Sequence, residues 1–488
     1  MNKESQAASA VSDTAAAPTD GASITTAAAT AATATAATPQ YTVQEVSDST
    51  IRKLTFSSFM GNFIEWFDYA SYTYFATVIA TIFFPNQDPT VSLIQAFAVF
   101  ALSFIARPIG AAFWGNWGDK HGRKSTLTHS ILFMSGATFL IGCLPGYATI
   151  GIAAPILLLL LRCCQSFSAS GEYAGAATFL SESVGHHRRG MIAGFIPASE
   201  AAGLLGGSAV FLIESTFMSD AMMNAWGWRV PFLLAAPLGL ITLFIREHLS
   251  ESPAYQQEQQ LIGSAEKKEQ AMPLRVLFRD YRKPLILTFG ACVLNAVGFY
   301  TVLTYLPTYL TTTLHTDKTL ASAATTTTLI VYVVFVIFTG YLSDKFGRKR
   351  VMLAASVLFV VFTVPAFLLL DTGNAVAIFV GEMGMAMILA LNDGVLVSFL
   401  PETFPTEVRL SGFAISFNTA NAIFGGTAPL VATTLISATG NALVPAYYLI
   451  VIAAIAFVAI WHTKLNKDLF FSGVKMPSVT PALGTAIA

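Results

Sequence analysis

The chain has 488 residues, 54% hydrophobic and only 11% charged, with a formal net charge of −1. Soluble domains carry about 25% charged residues and need them to stay dissolved, so this composition sets aside a soluble globular enzyme and predicts a surface that faces lipid. The near-zero net charge offers no footprint for nucleic acid, and the placement of the charges carries more information than their sum.

Residues 1–50 are rich in Ala, Thr and Ser with almost no large apolar side chains. Such a segment cannot bury enough surface to fold and is expected to be a disordered tail; no signal peptide is visible. Twelve apolar stretches then follow, at about 56–84, 91–114, 125–145, 150–180, 190–214, 229–246, 284–311, 320–342, 351–370, 374–400, 412–437 and 444–462. Each is close to the roughly 20 residues that cross a bilayer as a helix. They divide into an N-terminal half (51–246) and a C-terminal half (284–463) around the polar connection 247–283, with a short tail at 464–488 that has no heptads and so predicts no coiled coil. The expected fold is an all-α membrane protein of twelve transmembrane helices in two six-helix pseudo-repeats. Cys143, Cys163, Cys164 and Cys292 lie in apolar runs without metal-ligand spacing and read as small packing residues.

The basic residues alternate between connections. Arg52 and Lys53 precede the first stretch; Lys120, Arg123 and Lys124 follow the second; Arg188 and Arg189 follow the fourth; seven lie from Arg246 to Lys283; Lys345, Arg348, Lys349 and Arg350 follow the eighth, and Arg409 follows the tenth. The other connections are nearly empty of them, with Lys318 the clear exception. The positive-inside rule then places both termini and the central connection in the cytoplasm, for a multi-pass protein of the plasma membrane.

One pattern occurs twice, 225 residues apart. Gly115-Asn116-Trp117-Gly118-Asp119-Lys120-His121-Gly122-Arg123-Lys124 is answered by Gly340-Tyr341-Leu342-Ser343-Asp344-Lys345-Phe346-Gly347-Arg348-Lys349. Each copy is expected to form a charged loop between the second and third helix of its half. Leu180-Ser181-Glu182 before Arg189-Gly190 likewise resembles Leu400-Pro401-Glu402 before Arg409 and Gly412. Two six-helix halves with parallel repeats are known from transporters, and over roughly residues 52–463 the chain resembles the major facilitator superfamily. Within it, Gly61-Asn62-Phe63-Ile64-Glu65-Trp66-Phe67-Asp68-Tyr69, Arg107-Pro108-Ile109-Gly110, Gly171-Glu172-Tyr173, Trp226-Gly227-Trp228-Arg229-Val230-Pro231-Phe232 and Glu251-Ser252-Pro253-Ala254-Tyr255 resemble the metabolite:proton symporter family. That resemblance implies proton-coupled transport of proline, glycine betaine or an organic acid. It also implies that Gly115, Asp119 and Arg123 in one half, and Asp344 and Arg348 in the other, gate the cytoplasmic side by holding a helix N-terminus or an arginine of the opposite half.

Charges inside a membrane cost on the order of 2.5–3.5 kcal/mol each, so each needs a reason. Glu65 and Asp68 share one helix face at i, i+3 spacing, where two carboxylates disfavour double ionisation. With Arg162, expected to compensate a first-helix carboxylate, and Glu172 they are the proton-coupling candidates; Arg162 and Glu172 lie about 15 Å apart along their helix and should each meet another helix. Arg107 is expected to snorkel to the interface. Substrate-cavity candidates are Tyr69, Tyr72, Glu200, Asn295, Tyr300, Asn418 and Asn421, with Glu382 and Asp393 lacking motif support. Aromatic faces attract quaternary ammonium groups. Trp66, Tyr69, Tyr72 and Tyr74 in the first helix, and Phe299, Tyr300, Tyr305 and Tyr309 in the seventh, supply such faces, although most aromatics of a membrane protein serve packing or interface belts.

The membrane segments hold more acids than bases, and the bases are mainly Arg107 and Arg162. That balance suits a small zwitterion such as proline or glycine betaine; the alternative is an organic acid (2-oxoglutarate, citrate, a dicarboxylate or shikimate) held by those two arginines. No P-loop, catalytic triad or metal motif is present, so no cofactor and no enzymatic activity are expected. The expected partners are a small-molecule substrate, protons and the lipid bilayer, with the chain acting as a monomer.

Overall fold

A computed structural model of the chain describes residues 47–185, 187–252, 255, 256, 259 and 273–465. The expected tail therefore lies outside the described residues except at its last positions, where it is already helical. Ser47 caps the first helix, α1 (Asp48–Tyr74), by accepting from the Thr50 amide at 3.3 Å. Eleven further helices are long and apolar enough to cross a membrane: α2 (Val91–His121), α3 (Arg123–Cys143), α4 (Ala153–Ser183), α5 (Arg189–Phe217), α6 (Gly227–Glu247), α7 (Arg282–Thr312), α8 (Thr319–Phe346), α9 (Arg348–Asp371), α10 (Ala375–Phe399), α11 (Thr406–Thr439) and α12 (Val444–His462). α1 completes the twelve. It is less apolar because Asn62, Glu65 and Asp68 are buried along it, and it continues past Phe75 as Ala76–Phe83.

The repeated pattern is not a loop. Helix continues through its aspartate and lysine, and one glycine makes each break: Gly122 at φ 98° and Gly347 at φ 94°. Only glycine adopts this backbone without strain, so a single residue separates α2 from α3 and α8 from α9. The central connection contains a further helix, Pro273–Asp280, whose Leu277 is buried with Phe404 and Val408.

The bundle is apolar outside and polar inside. Large apolar side chains such as Phe133, Leu160, Ile286 and Leu430 are exposed, as suits a lipid-facing surface. The cysteines divide: Cys292 is buried, whereas Cys143 and Cys164 are exposed and do not serve the core. Among the described residues every ion pair except Arg188–Asp48 and Arg279–Asp280 is buried. Small residues bring the helices close enough for this. A Cβ on Gly203 of α5 would stand 2.7 Å from the Phe63 carbonyl of α1, and one on Gly340 of α8 would stand 2.3 Å from the Gly190 carbonyl of α5.

Candidate functional site

Along one face of α1, Glu65 and Asp68 each meet their own guanidinium. Arg107 of α2 pairs with Glu65 at 2.5 Å and donates to the Tyr69 hydroxyl at 2.8 Å. Arg162 of α4 pairs with Asp68 at 2.7 Å. Gln165 completes this second cluster: it accepts from Arg162 at 2.9 Å and donates to Asp68 at 2.9 Å and to Thr138 at 2.6 Å. The Arg162 guanidinium carbon lies 4.2 Å from the Tyr72 ring centroid and 5.6 Å from that of Tyr69. All these groups are buried. Such pairs hold charge in the membrane only because each partner cancels the other, and losing one partner leaves an uncompensated buried charge.

Arg162 meets a first-helix carboxylate and Glu172 meets another helix, both as expected, but other details differ from the sequence reading. Arg107 does not snorkel: it is 3% exposed, because Glu65 supplies a counter-charge at its own depth. Glu172 joins neither α1 cluster. It pairs with Arg246 of α6 and accepts from Ser130 at 3.1 Å, tying α3, α4 and α6 together; Arg246, grouped in the sequence with the central connection, is a buried α6 residue. Tyr72 is fully buried and donates to the Ala96 carbonyl at 2.9 Å, so it braces α1 on α2 beneath Arg162.

At mid-depth the halves meet through aromatics. The Trp66 ring lies 4.7 Å from that of Phe299 and 6.2 Å from that of Tyr300, and Phe104 lies 6.3 Å from Tyr300. Around this contact the helices of the C-terminal half widen into π-helical turns, Phe299–Tyr305 in α7 and Asn421–Gly425 in α11, a local geometry that recurs at functional sites. Asn418 donates across the halves to the Ser170 carbonyl at 2.9 Å, whereas the Asn421 amide turns back to Phe417 at 3.0 Å. Asn295 donates to Asp393 at 2.8 Å, and Asp393 also accepts from Tyr332 at 2.6 Å and Asn392 at 3.1 Å. Glu200 has Trp66 as a side-chain partner. Among the described residues, no arginine or lysine forms an ion pair with Glu200, Asp393 or Glu382; Glu382 accepts from Thr325 at 2.8 Å.

The repeated pattern forms two matching latches at one end of the bundle. Asp119 accepts from the backbone N–H groups of Leu410 and Ser411 at 3.2 and 2.9 Å, at the start of α11. Asp344 accepts from those of Gly190 and Met191 at 2.8 and 2.9 Å, at the start of α5. Each aspartate also pairs with the arginine four residues on, Asp119 with Arg123 at 3.2 Å and Asp344 with Arg348 at 2.7 Å. A glutamate then ties each half to the other. Glu182 binds Arg123 of its own half at 3.1 Å and Arg409 of the opposite half at 2.7 Å; Glu402 binds Arg348 at 3.2 Å and Arg189 at 3.0 Å. Gly115 stands where α2 touches α11, since a Cβ there would lie 2.7 Å from the Ser411 Cα.

The pairing role of Glu182, Glu402, Arg189 and Arg409 was missed in the sequence, although their recurrence in both halves was its signal. Another motif joins the same end: Ser252 donates to Glu182 at 2.5 Å and Tyr255 to the Lys120 carbonyl at 2.7 Å. Glu251 accepts from the Arg123 and Lys124 amides at 3.0 and 3.2 Å. Burial raises its carboxyl above the ordinary value, opposed by the backbone amides of Ser252 and Lys124 and by the Arg123 charge.

A family model described as Major Facilitator Superfamily matches residues 58–315 and 288–469. The chain is 36% identical over 417 residues to the proline/betaine transporter of Escherichia coli (strain K12), covering 85% of this chain and 83% of that protein. It is 37% identical over 430 residues to the glycine betaine/proline/ectoine/pipecolic acid transporter OusA of Dickeya dadantii (strain 3937), covering 87% and 86%. Among solved structures it is similar to the proton:xylose symporter XylE bound to 6-bromo-6-deoxy-D-glucose, with a TM-score of 0.70 at 15% identity over 85% of this chain and 95% of that one. At 15% identity that likeness concerns the fold alone.

Proposed function

Because the chain belongs to the major facilitator superfamily, we propose that it is a proton symporter for a small zwitterionic compatible solute such as proline or glycine betaine, working by alternating access. The carrying observation is the identity to proline/betaine transporters along 85% of the chain. The charge balance supports it: Arg107 and Arg162, the two bases available to an organic acid, are each already matched by a carboxylate of α1.

The α1 clusters are the proposed coupling site. A proton arriving on Asp68 cancels its charge and releases Arg162; loss of the proton restores the pair. Protonation leaves the buried Arg162 without its counter-charge, so the protonated state costs free energy that is recovered when the proton leaves and the pair re-forms. The latches are the gate. By the positive-inside rule we assign their end, and both termini, to the cytoplasmic side of the cytoplasmic membrane, so the arrangement described is closed to the cytoplasm. The chain acts as a monomer in the bilayer, because each half finds its latch partners within the same chain.

Purified protein in proteoliposomes is expected to accumulate labelled glycine betaine or proline when the lumen is made alkaline, and to lose accumulation when the gradient is collapsed. Uptake indifferent to the gradient would overturn the coupling. Inhibition of betaine uptake by excess dicarboxylate would favour an organic-acid carrier.

A further inference from the structure

Four buried side chains, two from each half, are electrostatic neighbours: Tyr173 of α4, Glu200 of α5, Tyr332 of α8 and Asp393 of α10. None is more than 3% exposed. Glu200 and Asp393 are electrostatic neighbours of each other and of both tyrosines. Tyr332 donates to Asp393 at 2.6 Å. Neither carboxylate forms an ion pair among the described residues, in contrast to Glu65, Asp68, Glu172, Glu182 and Glu402, which all do. The Tyr173 ring is held flat on Phe417, with centroids 4.3 Å apart and planes at 7°, yet among the described residues its hydroxyl has no hydrogen-bond partner. A buried hydroxyl is rarely left so without a reason. Here its electrostatic neighbours are two carboxylates that form no ion pair among the described residues.

We propose that Glu200 and Asp393 together form the subsite for the cationic end of the substrate, a quaternary or secondary ammonium group, with Tyr173 turned toward it and Trp66, Phe299 and Tyr300 as its aromatic wall. The assignment rests on the zwitterion reading above and adds where that molecule's positive charge goes. One carboxylate belongs to each half, so an ammonium group between them is attracted by both halves at once and favours their closure around it. A quaternary ammonium has no N–H to donate and draws its stabilisation from charge and aromatic faces, which is what this wall presents.

The test uses the full chain in nanodiscs and equilibrium binding of labelled glycine betaine. The competitor is 3,3-dimethylbutanoate, which has the shape of glycine betaine with neutral carbon in place of the charged nitrogen. The protein should prefer betaine to this competitor by roughly 30-fold or more, about two kcal/mol at tenfold per 1.4 kcal/mol. Glu200→Gln and Asp393→Asn should each cut that preference roughly tenfold, whereas Glu200→Asp, which keeps the charge, should retain it. Tyr173→Phe removes a hydroxyl without a hydrogen-bond partner among the described residues; it should weaken betaine binding severalfold with an unchanged melting temperature. The proposal is overturned if the carbon isostere binds the unmodified protein as well as betaine does, or if the preference survives both charge-removing substitutions. Failure of the unmodified protein to bind either betaine or proline would instead remove the substrate reading on which this one stands.

Discussion

Asp119→Asn tests whether the repeated pattern is a gate or a local cap. The Asp119 carboxylate receives two backbone N–H groups of the opposite half, from Leu410 and Ser411 at 3.2 and 2.9 Å, and pairs with Arg123 at 3.2 Å. Hydrogen bonds to a charged group contribute about 1.5–3 kcal/mol, neutral ones about 0.5–1.5. Removing the charge therefore weakens each of two cross-half bonds by about 1 kcal/mol, and the amide presents an N–H₂ to a second donor. Closure should weaken by roughly 2–3 kcal/mol, which at tenfold per 1.4 kcal/mol raises the open population roughly 30- to 100-fold. Hydrogen–deuterium exchange read by mass spectrometry measures this at Leu410 and Ser411. It also reads Gly190 and Met191, which are held by the other latch through Asp344. If the halves swing apart as bodies, exchange rises at both sites although only one was altered, and Asp344→Asn has the reciprocal effect. A rise confined to Leu410 and Ser411 would refute the gate and leave Asp119 as a cap of α11.

Gly347→Ala meets no atom within 4 Å and should lose only the strain of its φ of 94°, about 1–3 kcal/mol, whereas Gly122→Ala should lower the melting temperature further because its Cβ would stand 2.1 Å from Glu251 Oε2. Asp68→Asn strands Arg162, a change that costs about 3–5 kcal/mol for a buried pair; betaine uptake should stop responding to an imposed pH gradient while exchange of internal for external solute persists, and a preserved gradient response would count against the site. Glu182→Gln loses charge-assisted bonds to Arg123 and Arg409, so exchange at the start of α11 should rise as it does for Asp119→Asn. Trp66→Ala removes a cation–π face contributing about 2 kcal/mol when desolvated, so the KM for glycine betaine should rise about tenfold or more in vesicle uptake.

The twelve spans, their division six and six, and the duplicated pattern were legible along the chain, because hydropathy and repetition are local properties that survive without any knowledge of packing. The i, i+3 spacing of Glu65 and Asp68 likewise placed both on one face of α1. The partners were not legible. Arg107 stands 42 residues from Glu65, Arg162 stands 94 residues from Asp68, and Arg409 stands 227 residues from Glu182. No periodicity links such distances. An arginine one to two turns before a charged motif reads as interfacial until a neighbouring helix brings a carboxylate to its depth. Glycine spacing marked the latches, but a loop and a helix broken at one residue of positive φ have the same composition. What the sequence by itself determined is a duplicated, apolar, twelve-helix chain with buried acids. Only the tertiary structure decided which acids pair with cations and which, at Glu200 and Asp393, form no ion pair among the described residues, because in a low-dielectric interior the state of a charge depends on what lies within a few ångströms in space.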